Sequence, residues 1–266
     1  MDLGSPFYIG MLSLLFAVAA VLWWLLRKKN VKLQRGVILG LMLINTLQHF
    51  LKSWLYPQYF GLGFCLYSTA YNVCGALIIL SPAVFLWGNR FCKNSLLFLG
   101  SAAGLGAIAL PFWYFGMPVS RLGWNYGRFY LCHGLLFLSS FLPLALGLHR
   151  PKRREFWQVG LGFLLILCLV TVNNVIFMTI GLYPEGVGKP LYDQLLAINP
   201  CMLMAPKGEL GWLEALLKLG APPVLLGDNP SGHYAPILWY ALPVYAGITL
   251  ASLPVFWGVD KLSAGD

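Results

Sequence analysis

Charged side chains are what this sequence has least of. Asp, Glu, Lys and Arg make up only 10% of its 266 residues, and nine in all are acidic. A soluble domain of this length needs far more polar surface to cover its core, so a water-soluble protein is excluded. Also missing is any Cys-x-x-Cys among the six cysteines, which argues against the common metal and redox frameworks. Nor do the long apolar runs alternate with polar residues, as the strands of a membrane barrel do. What is present is 59% hydrophobic, with a mean hydropathy of +0.72.

The apolar residues gather into segments of membrane-crossing length, about 20 residues for a hydrocarbon core of ~30 Å. Seven spans are expected, at about 6–26, 36–56, 65–88, 95–115, 126–148, 156–181 and 236–259. Only Lys52 and Arg128 put a charge inside them. The first segment is too long for a signal h-region, has no basic residue before it, and is read as retained. The predicted fold is therefore an all-α, polytopic bundle of about seven transmembrane helices, forming one integral membrane domain over 1–266.

A net charge of +9 could suggest nucleic acid, but its distribution argues for topology instead. Arg27, Lys28, Lys29, Lys32 and Arg35 fill the first loop, Arg90 and Lys93 the third, and Arg150, Lys152, Arg153 and Arg154 the fifth. With Lys261 these are 12 of the 18 basic residues, all on one side of the predicted bundle. Short basic loops stay in the cytoplasm. The expected orientation is N-terminus outside and C-terminus cytoplasmic, in the cell membrane, with some contact to anionic lipid.

The long connection at 183–235 is then external. Within it, residues 209–217 place Leu210, Leu213, Leu216 and Leu217 on one face, and Glu214 pairs with Lys218 at i,i+4. An interfacial helix on the outer leaflet is expected there, a surface helix over the bundle being the alternative. Cys65 and Cys201 fall near the outer side, where a disulfide is permitted, although two separate packing cysteines are favoured. Gly100-Ser-Ala-Ala-Gly104 is a small-xxx-small pattern, which lets helices approach closely.

Polar residues inside the spans concentrate on the second, third, fifth and sixth. Asn45, His49, Lys52 and Tyr56 form one helical stripe, with Gln48 beside it. Tyr67, Tyr71, Cys74 and Ser81 follow the same spacing as Tyr126, Tyr130, His133 and Ser140, while span six carries Thr171, Asn173 and Asn174. Counted from the basic residue bounding each helix, His49, Cys74, His133 and Asn173 lie roughly 21–29 Å into the bilayer at ~1.5 Å per residue. One shared layer near the outer face is expected. Ionisable groups at such depth mark a functional site by default. Taken singly, each has a plainer use: Cys74 as a small packing residue, His133 and the asparagines as interhelical glue, Lys52 as a snorkelling cation.

Together they suit nucleophilic chemistry. A thiol needs a neighbouring base, and an amide or ammonium steadies the oxyanion that forms. Cys74, His133 and one of Asn173, Asn174 or Lys52 supply those roles. Zinc on His49, Cys74 and His133 is the weaker use, because Cys132 points ~100° away from its neighbour His133.

Three segments carry a resemblance. Tyr71-Asn-Val-Cys-Gly-Ala-Leu-Ile-Ile-Leu-Ser-Pro, Phe129-Tyr-Leu-Cys-His-Gly-Leu-Leu-Phe-Leu and Asn199-Pro-Cys-Met-Leu-Met-Ala-Pro-Lys-Gly resemble the YwaF-like family of bacterial membrane proteins. That family is related to the eukaryotic transmembrane protein 164 acyltransferases, which move fatty acyl chains onto ether phosphatidylethanolamine. The resemblance implies that Cys74 accepts the acyl chain and that His133 assists it. The expected activity is acyl transfer or hydrolysis on outer-leaflet phospholipids, which serve as donor and acceptor, with no cofactor, metal or nucleic acid. His49, Lys52, Tyr71, Asn72, Tyr130, Asn173 and Asn174 are expected to bind substrate or the oxyanion. The alternative is a transporter or sensor whose polar layer binds a small solute or lipid without chemistry.

Overall fold

The computed structural model describes residues 5–55, 63–110, 119–183, 186–206 and 211–264, with side chains described outside 119–126, 211–213 and 262–264. Among these the fold is helical throughout: nine α-helices, four short 3-10 turns, and one isolated bridge between Leu226 and Tyr234. The helices are α1 (Pro6–Leu26), α2 (Val31–Leu55), α3 (Val73–Trp87), α4 (Arg90–Ala109) and α5 (Val119–Ala145). Then come α6 (Trp157–Thr179), α7 (Leu191–Ile198), α8 (Gly211–Leu217) and α9 (Ala241–Ala264).

Each of the seven expected spans overlaps one of these helices. Five are both long and apolar enough to cross a membrane: α1, α4, the 127–145 part of α5, α6 with the turn before it, and α9. The other two differ for separate reasons. Helix α2 has the length, at 25 residues, but starts earlier than expected and takes in basic residues of the first loop. Helix α3 is apolar but only 15 residues long, because the chain at 65–72 is not helical beyond a 3-10 turn at Leu66–Ser68. Tyr67 and Tyr71 therefore do not share a helix with Cys74, which corrects the stripe expected on span three.

The chain divides into two compact units, 1–63 with 77–150, and 64–76 with 151–266, so the boundary falls inside α3 between Ala76 and Leu77. In the first unit, Leu15, Ala19, Ile108, Phe129, Tyr130, Phe137 and Leu138 join α1, α4 and α5 in one apolar cluster. Ile38, Met42 and Leu142 join α2 to α5 in another. The closest approach is α4 on α5. A Cβ added at Gly104 would lie 2.6 Å from the Phe137 nitrogen and 2.7 Å from the His133 carbonyl oxygen, and one at Gly100 would overlap the Ser140 hydroxyl. The small-residue pattern of this span is thus a contact surface, as expected.

Pro82 interrupts α3 without breaking it. It has no N–H to offer the Ile78 carbonyl. That oxygen instead accepts the Thr46 hydroxyl from α2 and the Ser81 hydroxyl, both at 2.9 Å. Hydroxyl donors are the usual means of satisfying a proline-freed carbonyl where water is scarce.

In the second unit α6 and α9 run antiparallel. The Ser252 hydroxyl donates to the Phe156 carbonyl at 3.0 Å, and Gly160 packs against Tyr245 and Thr249. Helix α7 ends at Asn199, whose φ is 35°, and Cys201 and Met202 follow at 56° and 58°. Side chains hold this left-handed stretch. Asn199 accepts the Met204 N–H and donates to the Ala205 carbonyl, both at 2.8 Å. The buried Trp239 indole donates to the Met202 carbonyl, and the Tyr240 hydroxyl to that of Cys201. Cys65 and Cys201 are not joined in a disulfide, and the first is buried and the second exposed. Of the expected interfacial helix, Gly211–Leu217 is helical, the Glu214–Lys218 pair forms, Leu217 is buried and Leu216 exposed. Glu209 and Leu210 lie outside the described residues, as does Tyr56.

Candidate functional site

The residues singled out from sequence fall into two groups, one in each compact unit. The first unit holds Asn45, Gln48, His49, Lys52, Tyr130 and His133; the second holds Tyr71, Asn72, Cys74, Asn173 and Asn174.

In the first group the polar stripe of α2 is internal. Asn45, His49 and Lys52 are all buried, at 1%, 3% and 2% exposure, on the face that also buries Ile38 and Met42. The Lys52 stem does not carry its ammonium out to solvent. Asn45 donates its amide to the Cys132 carbonyl of α5 at 3.0 Å and accepts the Gln48 amide at 2.8 Å. Asn45 thereby locks α2 to α5 one residue before His133.

His133 is half-buried on α5. Its Nδ1 lies 2.8 Å from the Phe129 carbonyl of the preceding turn, and the Phe129 ring tilts against the imidazole with centroids 4.3 Å apart. A carbonyl only accepts, so Nδ1 carries the hydrogen. In the neutral ring Nε2 is then left with its lone pair, the arrangement a general base requires. Tyr130, by contrast, is part of the apolar cluster, its ring edge-on to Phe7 and Phe129. Three further hydroxyls of the polar layer are local. Ser81 and Thr171 bond carbonyls of their own helices, and Ser140 faces Gly100.

In the second group the geometry centres on the start of α3. The Asn72 side chain accepts the Gly75 N–H at 2.8 Å, which makes Asn72 the helix cap. Cys74 is then the second residue of the first turn and is half-buried. The unpaired N–H groups of a first turn, with the helix dipole behind them, favour negative charge nearby. Helix α6 holds the incoming chain in place. The Asn174 amide donates to the Tyr71 carbonyl at 3.0 Å, and the Asn173 amide to the Thr69 hydroxyl at 2.7 Å. The two asparagines also touch each other at 3.3 Å, and Thr69 in turn donates to the Leu66 carbonyl at 2.6 Å.

Sequence reasoning gave Asn72, Asn173 and Asn174 a substrate-facing role; in the fold their bonds tie down the turn that presents Cys74. It missed Thr69, which takes the Asn173 amide, and Thr46, which repairs the break at Pro82. A signal existed for the cap: Asn directly before an apolar run is a helix-start mark. None existed for the Tyr71 carbonyl, since every residue has one. Among the described residues no three His, Cys, Asp or Glu side chains gather closely enough to hold a metal ion.

Comparison with known proteins gives one result. No curated protein and no solved structure matches the chain. A family model, however, matches residues 3–212, a stretch that includes Cys74, His133 and the asparagine pair, and the chain belongs to the TMEM164 family of membrane proteins.

Proposed function

We propose that this protein is a membrane lipid acyltransferase in which Cys74 is the nucleophile and His133 its base. The observation that carries the reading is the position of Cys74. It stands in the first turn of α3 beside the cap Asn72, on a chain held by Asn173 and Asn174. A thiol there has backbone donors at hand for the anion it forms on attack. His133 complements it, with Nδ1 committed to the Phe129 carbonyl and Nε2 available to accept a proton.

In the proposed reaction His133 takes the thiol proton and the Cys74 sulfur attacks the carbonyl of a phospholipid ester. A tetrahedral oxyanion forms and collapses. The C–O bond to the lipid breaks, and the proton on His133 passes to the departing lysolipid oxygen. The resulting acyl-thioester is opened by the hydroxyl of a second lysolipid, or by water, with His133 taking that proton and returning it to sulfur.

The test is acyl exchange between phosphatidylethanolamine and lysophosphatidylethanolamine in vesicles holding the full chain. C74A is expected to abolish exchange and H133A to reduce it by about 10²–10⁴-fold, the range of general acid–base assistance. Intact-mass analysis of the native protein is expected to find one acyl chain, removable by hydroxylamine and missing from C74A. Unchanged exchange in a folded C74A variant overturns the proposal.

A further inference from the structure

The basic turn between α5 and α6 forms an open cavity of about 530 Å³, lined by Lys152, Arg153, Arg154, Phe156 and Asp260. None of these residues takes part in the proposed acyl transfer, and all belong to the second unit. Three cations and one carboxylate give the lining a net positive charge. The neighbouring Glu155 accepts the Lys152 backbone N–H at 2.9 Å and is not part of the lining. The Arg153 and Arg154 side chains are exposed, and their guanidinium groups make no hydrogen bond or ion pair with another described residue. Two unengaged guanidinium forks beside an ammonium are the chemistry that binds a phosphate, often through paired N–H···O bonds.

The surroundings indicate the level at which this happens. Trp157 opens α6 and Trp257 lies near the end of the antiparallel α9, each 43% exposed. Lys261 sits over the Trp257 ring, its Nζ 3.8 Å from the centroid. Tryptophans at the ends of spanning helices, with a cation alongside, are anchors of the headgroup layer. Phe156 adds an apolar wall to the cavity, suited to the glycerol or upper acyl part of a lipid.

We infer that this cavity is a binding site for a phosphate group bearing net negative charge, whether carried by an anionic phospholipid headgroup or by a small soluble phosphate. Arg153 and Arg154 clasp the phosphate oxygens, Lys152 adds charge, and Asp260 opposes the anion and limits affinity. The site is independent of Cys74.

Native mass spectrometry of the detergent-purified full chain, titrated with phosphatidylglycerol or phosphatidylcholine, reads this directly. Phosphatidylglycerol is expected to be retained more strongly. The R153Q/R154Q variant is expected to lose about tenfold or more of that retention, with phosphatidylcholine retention unchanged. D260N is expected to hold phosphatidylglycerol several-fold more tightly, a gain that misfolding does not produce. Inorganic phosphate separates the two sources. If millimolar phosphate displaces the lipid from the native protein, the cavity accepts a free phosphate; if it does not, the lipid headgroup is the ligand. Native-like phosphatidylglycerol retention in R153Q/R154Q overturns the inference, and so does D260N binding no tighter than the native chain.

Discussion

The two compact units hold their chemistry by different means. In the first, His133 is part of a long helix, fixed by a glycine-mediated contact with α4 and by the Asn45 bond from α2. In the second, Cys74 stands where a helix begins, on a non-helical approach held by side-chain amides. A rigid helix resists single losses until its packing fails. A tethered turn loosens in steps, one hydrogen bond at a time. The proposed base is thus a packed element and the proposed nucleophile a tied one, and substitutions in the two units are expected to read out differently.

The largest effect is expected from packing in the first unit. Any side chain at Gly104 meets backbone atoms of Phe137 and His133, which cannot rotate away. G104L is expected to abolish folding, since overpacking by even a few methylenes costs about 1–3 kcal/mol and a Leu adds more strain than one rotamer can relieve. Gly106, two residues along the same helix, has open space around its Cβ position. G106A is expected to be neutral or stabilising by about 0.4–1 kcal/mol. Thermal unfolding in detergent checks both, and equal behaviour of the two variants ends the account of a close α4–α5 contact.

A neighbouring pair sharpens the comparison. Gly100 faces Ser140 in the first unit and Gly160 faces Thr249 in the second, and both buried hydroxyls lack a hydrogen-bond partner among the described residues. At Gly100 the obstacle is a side chain; at Gly160 it is also the Tyr245 carbonyl, 2.7 Å from an added Cβ. G100A is therefore expected to lose about 1–3 kcal/mol and to recover part of it with S140G, the rest being withheld by the helix cost of a new glycine. G160A is expected to gain nothing from T249G. Rescue at both sites, or at neither, removes the distinction drawn between them.

Loss of single tethers comes next. N174A leaves the Tyr71 carbonyl without its donor, a loss of about 1–3 kcal/mol for a buried group. N72A removes the helix cap, at about 1 kcal/mol, and N72S or N72D is expected to keep most of it. The consequence should be local. Hydrogen exchange is expected to accelerate at Val73–Gly75 and to stay unchanged along α5. Uniform acceleration across both units contradicts a tethered turn.

What was legible in the sequence follows the same division. The buried stripe Asn45, His49 and Lys52 was readable because α2 keeps one period for its whole length. The Gly100–Gly104 contact was readable because small residues at four-residue spacing have one main use in apolar helices. The approach to Cys74 was not. Residues 65–88 are one uncharged run, and periodicity alone carried the helix through Tyr67 and Tyr71 until the Asn72 cap is recognised. Tethers from Asn173 and Asn174 end on a hydroxyl and a backbone carbonyl, for which the sequence has no distinguishing mark. Regular helices announce their faces, whereas turns held by long-range bonds do not.

The smallest effect is expected at the surface of the second unit, where Lys218 pairs with Glu214 and lies 5.5 Å over the Tyr234 ring. The Glu214 hydrogen bond, then that of Tyr234, raises the Lys218 pKa above its ordinary value. A lysine whose folded pKa is raised contributes stability fully present below the unfolded value, near 10.4, and lost as pH climbs through the folded one. Exposed pairs of this kind are worth between nothing and about 1 kcal/mol, and salt screens them. E214Q is expected to leave the melting temperature almost unchanged at pH 7, and to differ from the native protein less still once the pH has climbed past the raised folded pKa, where the native pair has itself lost the lysine charge. A drop at pH 7 as large as that of N174A means that α8 is held by this pair in the way the Cys74 turn is held by its asparagines, and the tethered description then extends across the long connection before α9 as well.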